Sequence, residues 1–287
     1  MNANTGNARH DANPVFVVDI GGTYVKVGTT GNRLAPLFTE PTPRGAEDAL
    51  NLVADLTLEA TRVVGQPEEP GRRLVCGSGG LITPTGHCAK ALYTPFAGVD
   101  VRAELVRRLG GDIHVLNDAS LQAHAFVKLA PNSLVICIGT GVGGAIISEG
   151  RVLAGARGFA GEIGHALTTF SRTRCECGKR GCLDTVASGV AFTKALGVDW
   201  FNRVDGAIEP HLERLAQAVA DSALACAALL DVDTVILVGW PARHTFVRKD
   251  LRLRLSNTYR KVNFFGNGWP LCVMGAREIN ATHWRSK

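Results

Sequence analysis

His165, Cys175, Cys177 and Cys182 bring one imidazole and three thiols together within eighteen residues of the chain. Zinc takes such a set tetrahedrally and, with four protein ligands, keeps no open position for a reacting water. The Cys-x-Cys step is tighter than the common spacing of about two to four residues. Gly178 and Gly181 give the loop freedom to fold around a centre. Arg172, Arg174, Lys179 and Arg180 are basic neighbours that would help keep the thiols ionised. The expectation is a structural metal.

Two glycine turns carry a second chemistry. Asp19-Ile20-Gly21-Gly22-Thr23 offers two glycines, a hydroxyl, and an acid suited to holding Mg²⁺ through water. Gly139-Thr140-Gly141-Val142-Gly143-Gly144 offers four glycines and another hydroxyl. A phosphate needs backbone N–H donors at close approach, and glycine alone lets the chain come so near. Each turn by itself also reads as a plain hairpin connection. Neither has the lysine of a Walker A loop, and neither opens a helix as a dinucleotide fingerprint does. Occurring as a pair, each between two strand-like runs, they point to phosphate binding.

A third candidate is Asn117-Asp118, where a strand gives way to a helix, the side on which open α/β sheets gather ligands. Phosphoryl transfer to an alcohol needs a carboxylate within reach of the attacking hydroxyl to accept its proton. Asp118 suits that role. Asn and Asp are also favoured helix N-caps, so both readings stand at this stage.

These residues must be positioned by α/β lobes. Residues 15–20 and 24–29 read as strands around the first turn, 46–64 as an amphipathic helix, and 74–76 as a strand running into Gly77-Ser78-Gly79-Gly80. Asp100 reads as the cap of a helix through residue 109, stopped by Gly110-Gly111. Then come strand 113–116, helix 119–128, strand 134–138, the turn 139–144 and the returning strand 145–148. A long helix over 210–230 and a buried strand over 234–238, ending at Gly239, follow. Strand, glycine turn and strand thus recur about 120 residues apart, which suggests two related lobes facing a cleft. No solenoid-type repeat is present.

Composition narrows the function class. Hydrophobic residues make up 46% and charged residues 20% of the 287, as in an ordinary globular protein long enough for two lobes. No run approaches the roughly 20 apolar residues of a membrane span, and residues 1–13 are polar, without the apolar centre of a signal peptide. That segment reads as a tail. Eight cysteines without an export signal favour a reducing, cytoplasmic setting. Cys76, Cys88, Cys137, Cys226 and Cys272 mostly sit among apolar neighbours, as plain thiols do. A net charge of +5 favours anionic ligands mildly and is too dispersed to argue for nucleic acid.

Five motifs in order, residues 19–23, 117–119, 139–144, 161–165 and the cysteine segment through Ser188, make the chain resemble the ROK family. These are bacterial sugar kinases and sugar-responsive repressors within the actin/hexokinase-like (ribonuclease H-like) superfamily. The resemblance implies a two-lobed α/β fold. Residues 14–116, rejoined by 273–287, would form the smaller lobe, and 117–272 the larger lobe with the zinc loop. It implies Asp118 as the base, and Asn117, Glu162, His165 and Asp184, with Gly79 and Gly80, around a hexose. Asp19, Gly21, Gly22, Thr23, Gly139, Thr140, Gly141, Gly143, Gly144 and Gly239 would hold the donor, ATP or polyphosphate with Mg²⁺. His165, Cys175, Cys177 and Cys182 would ligate a structural Zn²⁺, with the second nitrogen of His165 left for a sugar hydroxyl. A homodimer is common in the family.

Two positions depart from the family pattern. Asp184 stands where the family usually has Glu, which draws the carboxylate back by over 1 Å, roughly one C–C bond. Gly239-Trp240-Pro241 stands where its kinases carry a run of glycines against the adenosine, so Trp240 would either stack on a purine or fill the pocket. The leading expectation is phosphoryl transfer to a hexose, glucose-like at its 6-hydroxyl. The alternatives are a silent sugar sensor and a polyphosphate-dependent hexokinase or hexosamine kinase, with which the basic stretch 243–261 is compatible, as it is with a solvated helix face. A DNA-binding repressor is not expected, because about 14 residues ahead of the first strand are too few for a helix-turn-helix.

Overall fold

The computed structural model describes residues 14–31, 35–66, 72–200 and 206–284; the segment 1–13, read as a tail, lies outside them. The chain opens with β1 (Phe16–Ile20), buried at every position, which turns back into β2 (Tyr24–Thr29) and then β3 (Phe38–Pro41). Helix α1 (Ala46–Val63) buries Ala49, Leu50, Val53, Ala54, Thr57 and Ala60, the three-to-four-residue stripe of a helix lying on a sheet. Next are β4 (Arg73–Ser78) and a small three-stranded sheet of β5 (Leu81–Ile82), β6 (His87–Lys90) and β7 (Val99–Asp100). Asp100 caps α2 (Val101–Leu109) as expected, its carboxylate accepting from the Ala103 N–H, and Gly110 ends the helix at φ 63°. Strand β8 (Asp112–Asn117) completes a five-stranded sheet in the order β3-β2-β1-β4-β8.

Helix α3 (Asp118–Ala123) leaves the end of β8 and tightens into a 3₁₀ turn over His124–Phe126, so the α-helix is shorter than the expected 119–128. A second sheet follows, from β9 (Ser133–Ile138), β10 (Val142–Ser148) and β11 (Arg151–Val152). After α4 (Asp184–Ala187), α5 (Gly189–Leu196) and α6 (Glu209–Leu230), β12 (Thr234–Gly239) pairs in parallel with β9. Helix α7 (Thr245–Leu255), β13 (Lys261–Phe265) and α8 (Trp269–Ile279) complete the described order of elements.

The second sheet runs β11-β10-β9-β12-β13, the same arrangement as the first: an antiparallel three-strand meander, then two parallel strands beyond its first member. The fold is therefore the two-lobed α/β architecture expected, and each lobe has its own apolar core. Helix α8 joins them. Trp269, 1% exposed, packs with Val15, Val17 and Val75 of the first lobe and with Leu121 of α3. A Cβ on Gly28 would lie 2.8 Å from the Trp269 ring, and one on Gly275 would lie 1.9 Å from the Leu121 carbonyl oxygen, so both glycines are required by close packing. Truncating Trp269 to alanine would cost about 3–5 kcal/mol. The Arg277 guanidinium donates to the Thr30 carbonyl, fastening the C-terminal helix to the first lobe.

Candidate active site

A cleft of about 600 Å³ opens between the lobes, and the two glycine turns face each other across it. The Thr23 and Thr140 hydroxyls meet at 2.9 Å. The first turn is held by its own hairpin: the Gly21 N–H donates to the Tyr24 carbonyl, and Asp19 lies directly opposite Lys26 in the β1–β2 register. Lys26 Nζ donates to Asp19 Oδ2 at 3.0 Å, and that carboxylate raises the lysine pKa. Lys26 was not among the sequence candidates. Counting back from the turn would have found it, because Ile20 pairs with Val25 and the next pair outward is Asp19 with Lys26.

The second turn is tighter than expected. Only Gly139, Thr140 and Gly141 lie outside the strands; Gly143 and Gly144 belong to β10. Gly143 still lines the cleft. Gly144 does not, which corrects the expectation that it holds the donor. It is buried opposite Ile136, where a Cβ would meet the Ile163 side chain at 2.7 Å and the Gly161 carbonyl at 2.8 Å. Its glycine serves the packing of residues 161–163 on the sheet.

Asn117 and Asp118 divide the two roles weighed for them. Asn117 is the N-cap: its Oδ1 accepts from the Ser120 N–H at 3.1 Å, while its Nδ2 donates to the Gly80 carbonyl and steadies the Gly79-Gly80 corner. Asp118 is the first helical residue, with Oδ1 accepting from the Ala119 N–H at 2.9 Å and Oδ2 on the side of Gly79. Gly77 permits this placement, since a Cβ there would lie 2.9 Å from Leu121 and 3.2 Å from the Asp118 Cα. Burial, reinforced by the charge of Asp19, pushes the Asp118 carboxyl up to about 6. Glu162 stands across the cleft on the segment leading into a 3₁₀ turn, Ile163–His165, and its carboxylate has no protein partner among the described residues. Burial and the charge of Asp118 lift it to about 7.

His165, Cys175, Cys177 and Cys182 converge, with their ligating atoms all within 4.8 Å of one another. Cys177 Sγ and Cys182 Sγ are 3.5 Å apart, and Cys175 Sγ is 3.7 Å from His165 Nδ1. A tetrahedron with Zn–S bonds of about 2.3 Å has edges of about 3.7 Å, whereas a disulfide would need about 2.05 Å. The donor set and its spacing fit zinc. With Nδ1 turned to the thiols, Nε2 is the nitrogen left for the cleft that His165 lines.

Asp184, two residues beyond Cys182, is 5% exposed and doubly engaged. Its Oδ1 accepts from the Val142 N–H at 2.7 Å and its Oδ2 from the Tyr93 hydroxyl at 2.5 Å. The shorter side chain thus braces the second glycine turn, with the tyrosine hydroxyl taking up the other oxygen. Tyr93 is a residue that sequence reasoning missed. It arrives from the connection between β6 and β7, and its ring lies where a Cβ on Gly141 would be 2.5 Å away and one on Gly22 would be 2.7 Å from the Tyr93 Cβ. No motif marks it; it meets Asp184 across 91 residues.

At the far end Gly239 lines the cleft at φ 112°, with no room for a Cβ beside the Ile138 carbonyl. Trp240 turns away from the cleft and into the core of the second lobe, so it offers no exposed face to a purine there. The side chain is 8% exposed and packs edgewise against Phe192 at 4.8 Å and Trp200 at 4.7 Å, with His244 at 5.9 Å.

Two duplicated sheets with paired glycine turns, a helix-borne acid between them and a His/Cys cluster beside it define the actin/hexokinase-like fold with a cleft between its lobes. The chain belongs to the ROK family, whose profile matches residues 15–240. It is 30% identical over 268 residues to an N-acetyl-D-glucosamine kinase of Escherichia coli O127:H6, spanning 83% of this chain and 87% of that one. Among solved structures it resembles a ROK family glucokinase from Streptomyces griseus in complex with glucose and AMPPNP. That match has a TM-score of 0.78 at 21% identity, over 92% of this chain and 98% of the other. It also resembles an inorganic polyphosphate/ATP-glucomannokinase from Arthrobacter sp. strain KM, with a TM-score of 0.64 at 24% identity over 94% and 100%.

Proposed function

We propose that this chain is a sugar kinase that transfers a terminal phosphoryl group to a hexose hydroxyl, the 6-hydroxyl of glucose or of a 2-acetamido relative. The observation that carries this reading is Asp118: a carboxylate raised to about 6, placed between two glycine turns whose hydroxyls touch. A group titrating near there is ionised at neutral pH yet basic enough to take a proton. The sugar oxygen attacks phosphorus, its proton passes to Asp118 Oδ2, and the cleaved bond's electrons stay with the donor oxygen. Glu162 and His165 Nε2 would orient the sugar, with Gly79-Gly80 as its backing. The N–H groups of Gly22, Thr140 and Gly141 would hold the phosphates, since those of Gly21 and Gly139 close their own turns. Asp19 keeps Oδ1 without a protein partner among the described residues, which suits a hydrated Mg²⁺ that would offset phosphate charge. Zinc on His165, Cys175, Cys177 and Cys182 would fix the loop that carries Asp184.

The buried aromatic cluster around Trp240 supports a second reading of the donor, recognised through its phosphates more than through a base, so that polyphosphate serves beside ATP. Cytoplasmic residence is part of the proposal, supported by eight cysteines of which none is paired in a disulfide. No helix among the described residues is long and apolar enough to cross a membrane. We place the smaller lobe at 14–116 with the C-terminal return beginning at Trp269, since α8 is one helix from there and cannot be divided at residue 273. The test is phosphoryl transfer across hexoses and 2-acetamido hexoses with ATP and polyphosphate as donors. Turnover of one acceptor establishes the kinase; sugar binding without turnover on any donor leaves a sensor.

A further inference from the structure

Beside the catalytic cleft lies a second concavity of about 450 Å³, between the zinc-loop segment 170–176 and helices α5 and α6. Its walls are strongly cationic. Arg174, Lys194 and Arg214 line it from three different elements, each exposed and without an ion-pair partner among the described residues; Arg172 adds a fourth cation. Against them stand Glu176 and Asp184, and Asp184 is already satisfied by the Val142 N–H and the Tyr93 hydroxyl. Cations converging on a concavity from independent elements raise the local potential far more than the same charges spread over a convex face. This concavity is separate from the donor turns, since Gly139, Thr140 and Gly239 do not line it. It shares a wall with the catalytic cleft, however, because Tyr93 and Asp184 line both.

We propose that this second cleft binds phosphate-rich anions. Guanidinium groups and an ammonium around the rim of one hollow match several phosphate oxygens at once. Two sources share this chemistry: the far end of an inorganic polyphosphate donor, or a separate phosphorylated small molecule. Either would be felt at the second glycine turn, because the shared wall residue Asp184 holds the Val142 N–H. The site stands on its own charge and shape; its link to turnover rests on the kinase reading.

The test is the double variant Lys194→Glu/Arg214→Glu, two exposed helix positions outside the catalytic cleft, titrated calorimetrically with inorganic tripolyphosphate beside the unaltered protein. The expected result is binding weakened by about tenfold or more, with sugar affinity unchanged. Unchanged tripolyphosphate affinity in the variant overturns the proposal. Kinetics then separate the sources. A raised KM for long-chain polyphosphate with an unaltered KM for ATP identifies the donor's tail. A response of ATP-supported turnover to tripolyphosphate or hexose phosphate, present only in the unaltered protein, identifies a separate effector. Loss of anion binding in the variant of a protein that turns over no donor would support the site while removing the kinase reading.

Discussion

The two glycine turns occupy the same place in two sheets of the same order, yet they are braced in different ways. The first is secured mainly by neighbours close in sequence: the cross-strand pair Asp19 and Lys26, seven residues apart, and Thr42, whose hydroxyl donates to the Gly21 carbonyl and whose N–H donates to the Thr23 carbonyl. The second is secured from outside, by Asp184 at a separation of 42 residues and by Tyr93, which that carboxylate receives from the other lobe. Asp184 in turn follows directly on the cysteine loop. Duplicating the architecture has therefore not duplicated its supports. The first turn leans on strands adjacent to it in sequence, and the second on the loop that carries the His/Cys cluster and on lobe-to-lobe contact.

Both turns are useful only if they converge on Asp118, so the largest effect is expected there. Asp118→Asn should lower kcat by about 10²–10⁴-fold while leaving sugar affinity in calorimetry little changed. Near-normal turnover would remove Asp118 as the base.

Stripping the metal, or Cys177→Ser, tests the asymmetry itself. Amide exchange at Gly141 and Val142 should accelerate and the melting temperature should fall, with exchange at Gly21 and Gly22 little affected. Equal loosening of both turns, or absence of zinc from purified protein by metal analysis, would break the comparison.

Smaller effects are expected from the braces. Asp184→Asn weakens a charged hydrogen bond to the second turn, worth about 1.5–3 kcal/mol, and should raise the donor KM with the sugar KM nearly constant. Lys26→Met leaves the largely buried Asp19 unpaired and should act on the first turn alone. Steady-state kinetics on both variants, with exchange measured at both turns, would show whether the supports are as separate as their geometry indicates.

The pH dependence is smaller still and has a defined sign. With Asp118 raised to about 6, the base is lost as pH falls through that value, so kcat/KM should decline below pH 6. Glu162, raised to about 7, binds its proton more tightly in the folded chain than in the unfolded one. Stability from this group is therefore lost as pH rises from about 4.3 to about 7. Glu162→Gln should then raise the unfolding free energy at pH 8 and not at pH 4, by about 1 kcal/mol after allowance for solvent at the cleft. A shift of equal size at both pH values would assign the effect to packing.

Much of the site was legible because its determinants are local. The glycine turns, the Asn117 cap, and the cysteine loop with its glycines all express backbone or ligand chemistry within a few residues. What the sequence did not show has one cause, contacts between segments distant in the chain. Gly144 looked like a phosphate contact, and its glycine answers instead to Ile163 and Gly161 packing on the strand. Asp184, read as a sugar ligand, does line the cleft, and its oxygens also accept from groups of both lobes.

The sequence by itself determined the strands and helices that frame the cleft, the duplication, the His/Cys cluster and the acid at the β8–α3 junction, while β3, β13 and α8 carried no comparable local signal. Periodicity, capping and ligand type act over short stretches of chain. Only the tertiary structure decided that Tyr93 wedges between the turns, that Trp240 packs into the core with Phe192 and Trp200, and that cations from three elements ring a second hollow. Those outcomes depend on which side chains distant in sequence compete for the same space, and that is fixed when the lobes pack.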